Sequence, residues 1–310
     1  MPAISGFVDF DPAKDLPSFK HKVIFVTGGT AGLGRECVEA LIQHQPAHIY
    51  FSGRNVDAAT KLVESISATT PDVGLTFVEL DMTSLESVKA GMQRFTLDRL
   101  DILMCNAGIM AKPPGLTRDG FELQFGVNHL AHAMIIDTLL PTLQRTAAQP
   151  GADVRIICLT SEGYAAHPRG GILYDRLRTP MDMFMGTWVR YGQSKLANLM
   201  YAKELARRYP AILAVSVHPG VVQTELVTSL PLLKKVFVHV TNALMRVPLM
   251  DPERGAYSQL WLTGADREKL VSGAYYKPVG VLTQADATAE SEKLASKLWD
   301  WTQDVLVGFR

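Results

Sequence analysis

Tyr191 and Lys195 are the residues whose types and spacing point most directly to chemistry. In Tyr191-Gly-Gln-Ser-Lys195 a phenol and an ammonium stand four positions apart at the head of a helix-forming run, and residues i and i+4 share a helix face. A phenol with an ordinary pKa of about 10 is a poor acid–base near neutrality unless a nearby cation favours its phenolate. Lys195 is such a cation. The same spacing also describes a Tyr/Lys pair on a solvated helix face, so the pair acquires meaning only from its companions.

The first companion is a glycine-rich turn. Thr27-Gly28-Gly29-Thr30-Ala31-Gly32-Leu33-Gly34 follows an apolar run and leads into a helical pattern beginning near Arg35. Glycines at 28, 32 and 34, with Thr30 and Leu33 between them, let a backbone turn tightly and approach a pyrophosphate, while the helix N-terminus supplies N–H donors. The spacing is Gly-x-x-x-Gly-x-Gly. Any strand-to-helix turn can carry such a cluster, and the flanking strand and helix patterns favour the nucleotide reading. After the second apolar run, Ser52-Gly53-Arg54-Asn55 offers a guanidinium where NAD-binding folds carry a carboxylate. A fork of this kind suits a 2′-phosphate, which makes NADP(H) the expected cofactor. Arg35 could add charge at that edge, or could simply be solvated.

These residues need a frame to hold them. Short apolar runs at 23–27, 48–52, 75–80, 101–105, 154–159 and 212–217, with a seventh candidate at 273–276, alternate with helical patterns near 33–44, 56–68, 84–95, 119–145, 190–208, 253–263 and 288–306. Near-continuous apolar strands are those buried on both faces, and strands alternating with helices imply right-handed crossovers. The expected fold is α/β, a single doubly wound parallel sheet of Rossmann type with helices on both faces. Without a linker or repeat, residues 1–310 read as one nucleotide-binding domain. Two stretches fit the alternation poorly, an insertion at about 162–187 and a loop at about 224–250, and long loops in compact domains tend to be functional.

Bulk properties exclude several classes. With 31 basic against 31 acidic residues there is no broad field for a nucleic-acid partner. Cys37, Cys105 and Cys158 sit in apolar runs without metal spacing, so buried thiols and no metal site are expected. The first residues lack the basic start and apolar run of a secretory signal, and Lys234, Lys235, His239, Asn242 and Arg246 interrupt the most apolar stretch. A soluble, cytoplasmic protein is expected. Basic residues flanking that stretch leave a surface-seeking amphipathic helix as the alternative.

Taken in order, the motifs make the chain resemble the short-chain dehydrogenase/reductase family over most of residues 20–280. The glycine turn is similar to the family's cofactor loop. Asp81 corresponds to its adenine-contacting acid, Asn106-Ala107-Gly108 to its Asn-Ala-Gly signature, and Ser161 to the active-site serine. Asn128 corresponds to the helix asparagine that holds a relay water, and Tyr191 and Lys195 to the acid–base pair. Pro219, Gly220, Val222 and Thr224 correspond to the segment against the nicotinamide. The resemblance implies hydride transfer between nicotinamide and a carbonyl carbon. Tyr191 would give the proton, Ser161 hydrogen-bond the developing oxyanion, and Lys195 bind the ribose and lower the Tyr191 pKa. Taken singly, Asp81 also reads as a helix cap and Asn128 as a helix-end partner. His129, His132 and His218 lack an evident acid partner and read as structural, and Glu162 reads as a cap on the loop after Ser161.

Ser161 and Tyr191 lie 30 positions apart, a wider gap than in the shorter members. That insertion, with Arg54-Asn55, resembles retinol dehydrogenase-like and protochlorophyllide reductase-like members and implies a bulky apolar carbonyl or alcohol as substrate. Tyr164, His167, Tyr174, Met181, Met183, Phe184, Met185 and Trp188 would suit such a ligand, or form a flap packed on the body. Leu226, Val227, Leu230, Leu232, Leu233, Val236, Phe237 and Val238 would line the pocket from the second loop. Competing readings are reduction of a C=C bond, a catalytically silent dinucleotide sensor, and a structural or interaction protein. The complete set of Ser161, Tyr191, Lys195 and Asn128 argues against the last two. Family dimers through the helix bearing Tyr191 make a homodimer possible, unless the insertion blocks that packing.

Overall fold

Apolar runs of four to six residues with β-branched or aromatic side chains become strands here, and the patterns between them become helices. A computed structural model describes residues 8–222 and 250–310. Thr224 and nearly all of the expected 224–250 loop, including its eight apolar residues, lie outside the described residues. The strands are β1 (Val23–Val26), β2 (His48–Gly53), β3 (Gly74–Glu79), β4 (Ile102–Cys105), β5 (Arg155–Leu159), β6 (Leu213–Val217), β7 (Tyr275–Lys277) and β8 (Val281–Thr283). They form one sheet in the order β3-β2-β1-β4-β5-β6-β7-β8. Every neighbouring pair is parallel except β7 with β8. The last strand is absent from the sequence expectation, because three residues after a glycine turn carry too little pattern.

The chain winds outward from β1 to β3 and then returns to place β4 on the other side of β1. Such a reversal opens a crevice at the carboxyl ends of β1 and β4. Helices α1 (Pro12–Asp15), α2 (Gly32–Ile42), α3 (Val56–Thr69), α4 (Leu85–Met92), α5 (Leu123–Phe125), α6 (Ala131–Ala147), α7 (Gly186–Arg208), α8 (Pro252–Gly264) and α9 (Glu292–Val307) surround the sheet. One apolar core joins α2, α3 and α8 to one face through Leu41, Leu62 and Leu260. The other joins α4, α6, α7 and α9 to the opposite face through Val88, Ile135, Leu199 and Leu298. Burial of both sheet faces is the physical reason the strand runs lack alternation.

Cys37, Cys105 and Cys158 are free and buried. Among the described residues no helix is long and apolar enough to cross a membrane. Residues 190–202 of α7 are all buried, with α9 laid along the helix, where Trp299 stacks on Tyr201 at 4.9 Å between ring centroids. That stretch offers no free face to a second copy.

Candidate active site

The glycine turn sits at the crevice. Thr27 follows β1, its N–H donating to Met104 O at 3.0 Å. Gly28 and Gly32 adopt φ of +68° and +52°, left-handed values that cost a side chain strain. A Cβ on Gly34 would stand 2.3 Å from Gly28 O and 2.4 Å from Asn106 Nδ2, so the helix can close on the loop only without one. Helix α2 begins at Gly32 with Ala31 as an N-cap that makes no side-chain bond, which leaves its first-turn N–H groups free for an anion. Thr30 packs on Gly53, and a Cβ there would meet Thr30 Oγ1 at 2.7 Å.

Arg54 follows β2, exposed, with no hydrogen-bond or ion-pair partner among the described residues. Arg35, by contrast, is paired with Glu39 at 2.9 Å. Asp81 accepts from the N–H and hydroxyl of Thr83, each at 2.9 Å, and lies 3.3 Å from Arg118. The cap of α4 is Ser84.

Asn106 donates to Thr27 O at 2.8 Å, and Thr27 Oγ1 accepts from the N–H groups of Asn106 and Ala107, both at 2.9 Å. With two N–H groups donating into it, the hydroxyl gives its own proton to His132 Nε2, 2.9 Å away. His132 Nδ1 then donates to Asn128 O at 2.9 Å. Burial pushes the His132 pKa down to about 4, in keeping with a neutral ring. This histidine, expected to be merely structural, joins the cofactor turn to Asn128.

Asn128 lies in a single π-helical turn, Gly126–Leu130, between α5 and α6, a feature that recurs at functional sites. Gly108 lies against it, for a Cβ on Gly108 would stand 3.1 Å from Asn128 Oδ1 and 3.5 Å from Lys195 Nζ.

Ser161, Tyr191 and Lys195 meet where β5 ends beside α7. Thr160 Oγ1 donates to Lys195 O at 2.7 Å, and Asn198 Nδ2 to Leu159 O at 2.9 Å, which fix the helix against the strand end. Ser161 Oγ accepts from Gly163 N–H at 3.1 Å, which leaves its own proton to donate towards Tyr191. The Tyr191 phenol is pushed upward by burial and drawn back by a hydrogen bond from Ser161. Lys195 Nζ is 5.9 Å from the Tyr191 ring centroid and donates to Leu159 O at 3.1 Å, leaving two further protons. Burial brings its pKa down to about 8.

Two features were not foreseen. Gly163 makes room for the phenol, since a Cβ there would fall 2.9 Å from Tyr191 Cε1. Glu162 caps nothing; Ser161 is the cap. Glu162 instead pairs with Lys277 at 2.5 Å and lies 3.7 Å from His218 Nε2, so His218 does have an acid partner, brought to it across the sheet. Pro219, Gly220 and Val222 follow β6, with Gly220 at φ +92° and Val222 bridged to Met250.

The insertion is packed at its base. Glu122 N–H donates to Leu177 O at 2.7 Å, Asp286 N–H donates to the Tyr164 hydroxyl at 3.1 Å, and Tyr174 packs on Trp301. Tyr174 and Met181, open between facing a ligand and packing on the body, are committed to internal contacts. Of the eight insertion residues suited to an apolar ligand, only Met183, Phe184 and Met185 are exposed, at 39%, 95% and 49%.

The family described as short chain dehydrogenase matches residues 22–174. An uncharacterized oxidoreductase of Schizosaccharomyces pombe is 37% identical, covering 90% of this chain and 84% of its own. The chain belongs to the short-chain dehydrogenase/reductase family. Human retinol dehydrogenase 11 is 32% identical over 92% of this chain and 86% of its own, which places the similarity on the retinol dehydrogenase-like branch. The crystal structure of NADPH-bound carbonyl reductase from chicken fatty liver superposes with a TM-score of 0.62 at 21% identity, over 86% of this chain and all of that one, a likeness of fold. Solved structures of this fold hold NADPH or NAD.

Proposed function

We propose that this family oxidoreductase uses NADP(H) to interconvert a carbonyl and a primary or secondary alcohol on a bulky apolar substrate. The observation that carries the reading is the meeting of Ser161, Tyr191 and Lys195 at one strand end, beside a turn whose glycines leave space where a Cβ would intrude. The uncapped α2 N-terminus and Gly28–Gly34 would hold the pyrophosphate, Arg54 the 2′-phosphate and Asp81 the adenine. Asn106, Ala107 and Gly108, with Pro219, Gly220, Val222 and Thr224, would flank the remainder, and Lys195 would bind the nicotinamide ribose. The bound cofactor supplies hydride chemistry.

In reduction, Tyr191 gives its proton to the carbonyl oxygen while Ser161, turning its hydroxyl from the phenol to the substrate, hydrogen-bonds the same oxygen as negative charge grows there. Lys195 supplies positive charge that favours the phenolate left behind. Asn128 holds Ile109 and Ser194 in place, and a water joining it to Lys195 would donate to its oxygen, because both its N–H groups are taken. In oxidation Tyr191 is the base.

The test follows absorbance of the reduced nicotinamide with a panel of apolar aldehydes and ketones. Turnover is expected with NADPH, and Tyr191→Phe is expected to lower kcat by about 10²–10⁴ with the NADPH dissociation constant within a few-fold. A variant that turns over at the parent rate removes Tyr191 from the proton step.

A further inference from the structure

Among the described residues, the bulkiest side chain that is fully buried belongs to a charged residue, Arg190, 1% exposed. It directly precedes Tyr191. Its Nη1 donates to Met181 O at 2.8 Å and its Nη2 to Lys112 O at 3.0 Å, while Nε lies 3.3 Å from Glu122 Oε1. Glu122 is 0% exposed and its oxygens accept from Gln124 N–H and Phe125 N–H. Thr187 Oγ1 also donates to Lys112 O, at 3.1 Å. One guanidinium therefore ties together the segment that continues from Gly108, the insertion, the start of the helical run bearing Asn128, and the helix bearing Tyr191. A buried ion pair gives up hydration that its attraction seldom repays in stability. A device of this kind is better explained by position than by strength.

What it holds is equally costly. Met181 and Met185 take φ of +50° and +56°, left-handed values that unbranched residues other than glycine adopt only under constraint. Met183 and Phe184 stand between them and, with Met185, are 39%, 95% and 49% exposed. Gly186 closes the turn: a Cβ there would lie 2.8 Å from Met183 Cγ and 2.9 Å from Arg190 Nη1. One partner of a buried charge pair, two strained residues and an apolar triplet facing water all fall within the ten residues before the proton donor. Strain concentrated in this way is typical of ligand-contacting segments. The occupant nearest at hand is the apolar part of whatever reacts at Tyr191.

We propose that Arg190 is a positioning residue that holds the 183–185 turn beside Tyr191, so that Phe184 and its neighbours grip the apolar tail of the substrate and set a preference for long over short carbonyls. This rests on the carbonyl-reduction reading above. The contact is hydrophobic, and covering one phenyl ring accounts for a selectivity of roughly ten-fold or more.

The experiment compares a homologous series of straight-chain aldehydes at saturating NADPH and, separately, titrates a long-chain primary alcohol calorimetrically in the presence of NADP+. Phe184→Ala is expected to reduce the long-over-short ratio of kcat/KM at least about ten-fold, through KM, and to weaken alcohol binding equally. Phe184→Leu should retain most of the ratio. Arg190→Lys keeps the charge opposite Glu122 but cannot reach both carbonyl oxygens, and should lose the ratio as Phe184→Ala does. Leu282→Ala, at an exposed apolar position on β8, is the control that changes nothing. Unaltered ratios in both Phe184→Ala and Arg190→Lys overturn the proposal. So does loss of self-association in Phe184→Ala with selectivity intact, since that assigns the turn to a second copy of the chain. If the parent protein binds the long alcohol through Phe184 yet turns nothing over, the carbonyl reading fails and this one stands. If it does neither, both fail.

Discussion

Asn128 grips the backbone of Ile109 from both sides. Its Oδ1 accepts from Ile109 N–H at 2.8 Å and its Nδ2 donates to Ile109 O at 3.0 Å, while the second Nδ2 proton goes to Ser194 Oγ at 2.9 Å. The side chain thus fastens the segment after Gly108 to the helix that bears Tyr191. Asn128→Ala strips partners from a peptide group at the edge of the site, a loss worth about 1–3 kcal/mol where the groups stay unsatisfied. Thermal denaturation should show that loss, and kcat/KM should fall at least about ten-fold. Asn128→Asp keeps the acceptor for Ile109 N–H but cannot donate to Ile109 O, so its stability should lie below that of the parent. Equal stability in all three proteins would remove the side chain from the frame.

Gly163 and Tyr191 impose a steric prediction. With a Cβ on Gly163 falling 2.9 Å from Tyr191 Cε1, Gly163→Ala must displace either the phenol or the turn that carries Ser161. Misplacement by a fraction of an ångström to 1 Å costs up to about 10²-fold in rate. The expected result is a kcat reduced by about 10–10², with NADPH binding within a few-fold, because the atoms nearest an added Cβ belong to Tyr191 and Ser161 and not to the glycine turn. A parent-like kcat would mean that the ring has room to spare.

Arg54 makes the cofactor prediction. Exposed and unpaired among the described residues, it is free to meet a 2′-phosphate, and hydrogen bonds to a charged group are worth about 1.5–3 kcal/mol. Arg54→Ala should raise the NADPH dissociation constant about 10- to 100-fold and leave that for NADH nearly unchanged. Equal shifts for the two cofactors would disconnect Arg54 from the phosphate.

The strands other than β8, the glycine turn and the Tyr191/Lys195 spacing were legible in the sequence because each is local: a run of apolar residues, a cluster of glycines, one helix turn. The contacts that complete the site are not local. His132 reaches Thr27 across 105 positions, and nothing beside His132 in the chain announces it. Glu122 and Arg190 lie 68 positions apart and look like two ordinary surface charges until α7 is packed. Glu162 reads as a loop cap because its real partner, Lys277, arrives on the seventh strand of the sheet. The π-helical turn at Asn128 is likewise hidden, since one extra residue in a helix leaves the 3.6-residue pattern of its flanks intact. The insertion was open between ligand-facing and packed readings, and its base packs while its large apolar side chains project at 183–185.

Lys195 gives a pH dependence with a definite sign. Burial lowers its pKa from the ordinary 10.5 to about 8, so the ammonium is present at pH 7 and is lost as pH rises through about 8. The titratable groups facing it are Tyr191 on the same helix, Cys158 on β5, and the imidazoles of His132 on α6 and His218 after β6. Both rings, with pKa values lowered by burial to about 4, remain neutral throughout this range. If the ammonium donates to the cofactor ribose, NADPH affinity must weaken with rising pH, and by linkage binding must take up protons near pH 8. With only the protonated form competent, one and a half units above the pKa leaves about 3% of it, an affinity about 30-fold weaker at pH 9.5 than at pH 7. Fluorescence titrations with NADPH across that range measure the slope. Lys195→Met should bind NADPH more weakly at pH 7 and show no comparable decline toward pH 9.5. A parent protein whose NADPH affinity is flat between pH 7 and 9.5 would mean that the Lys195 charge takes no part in holding the cofactor.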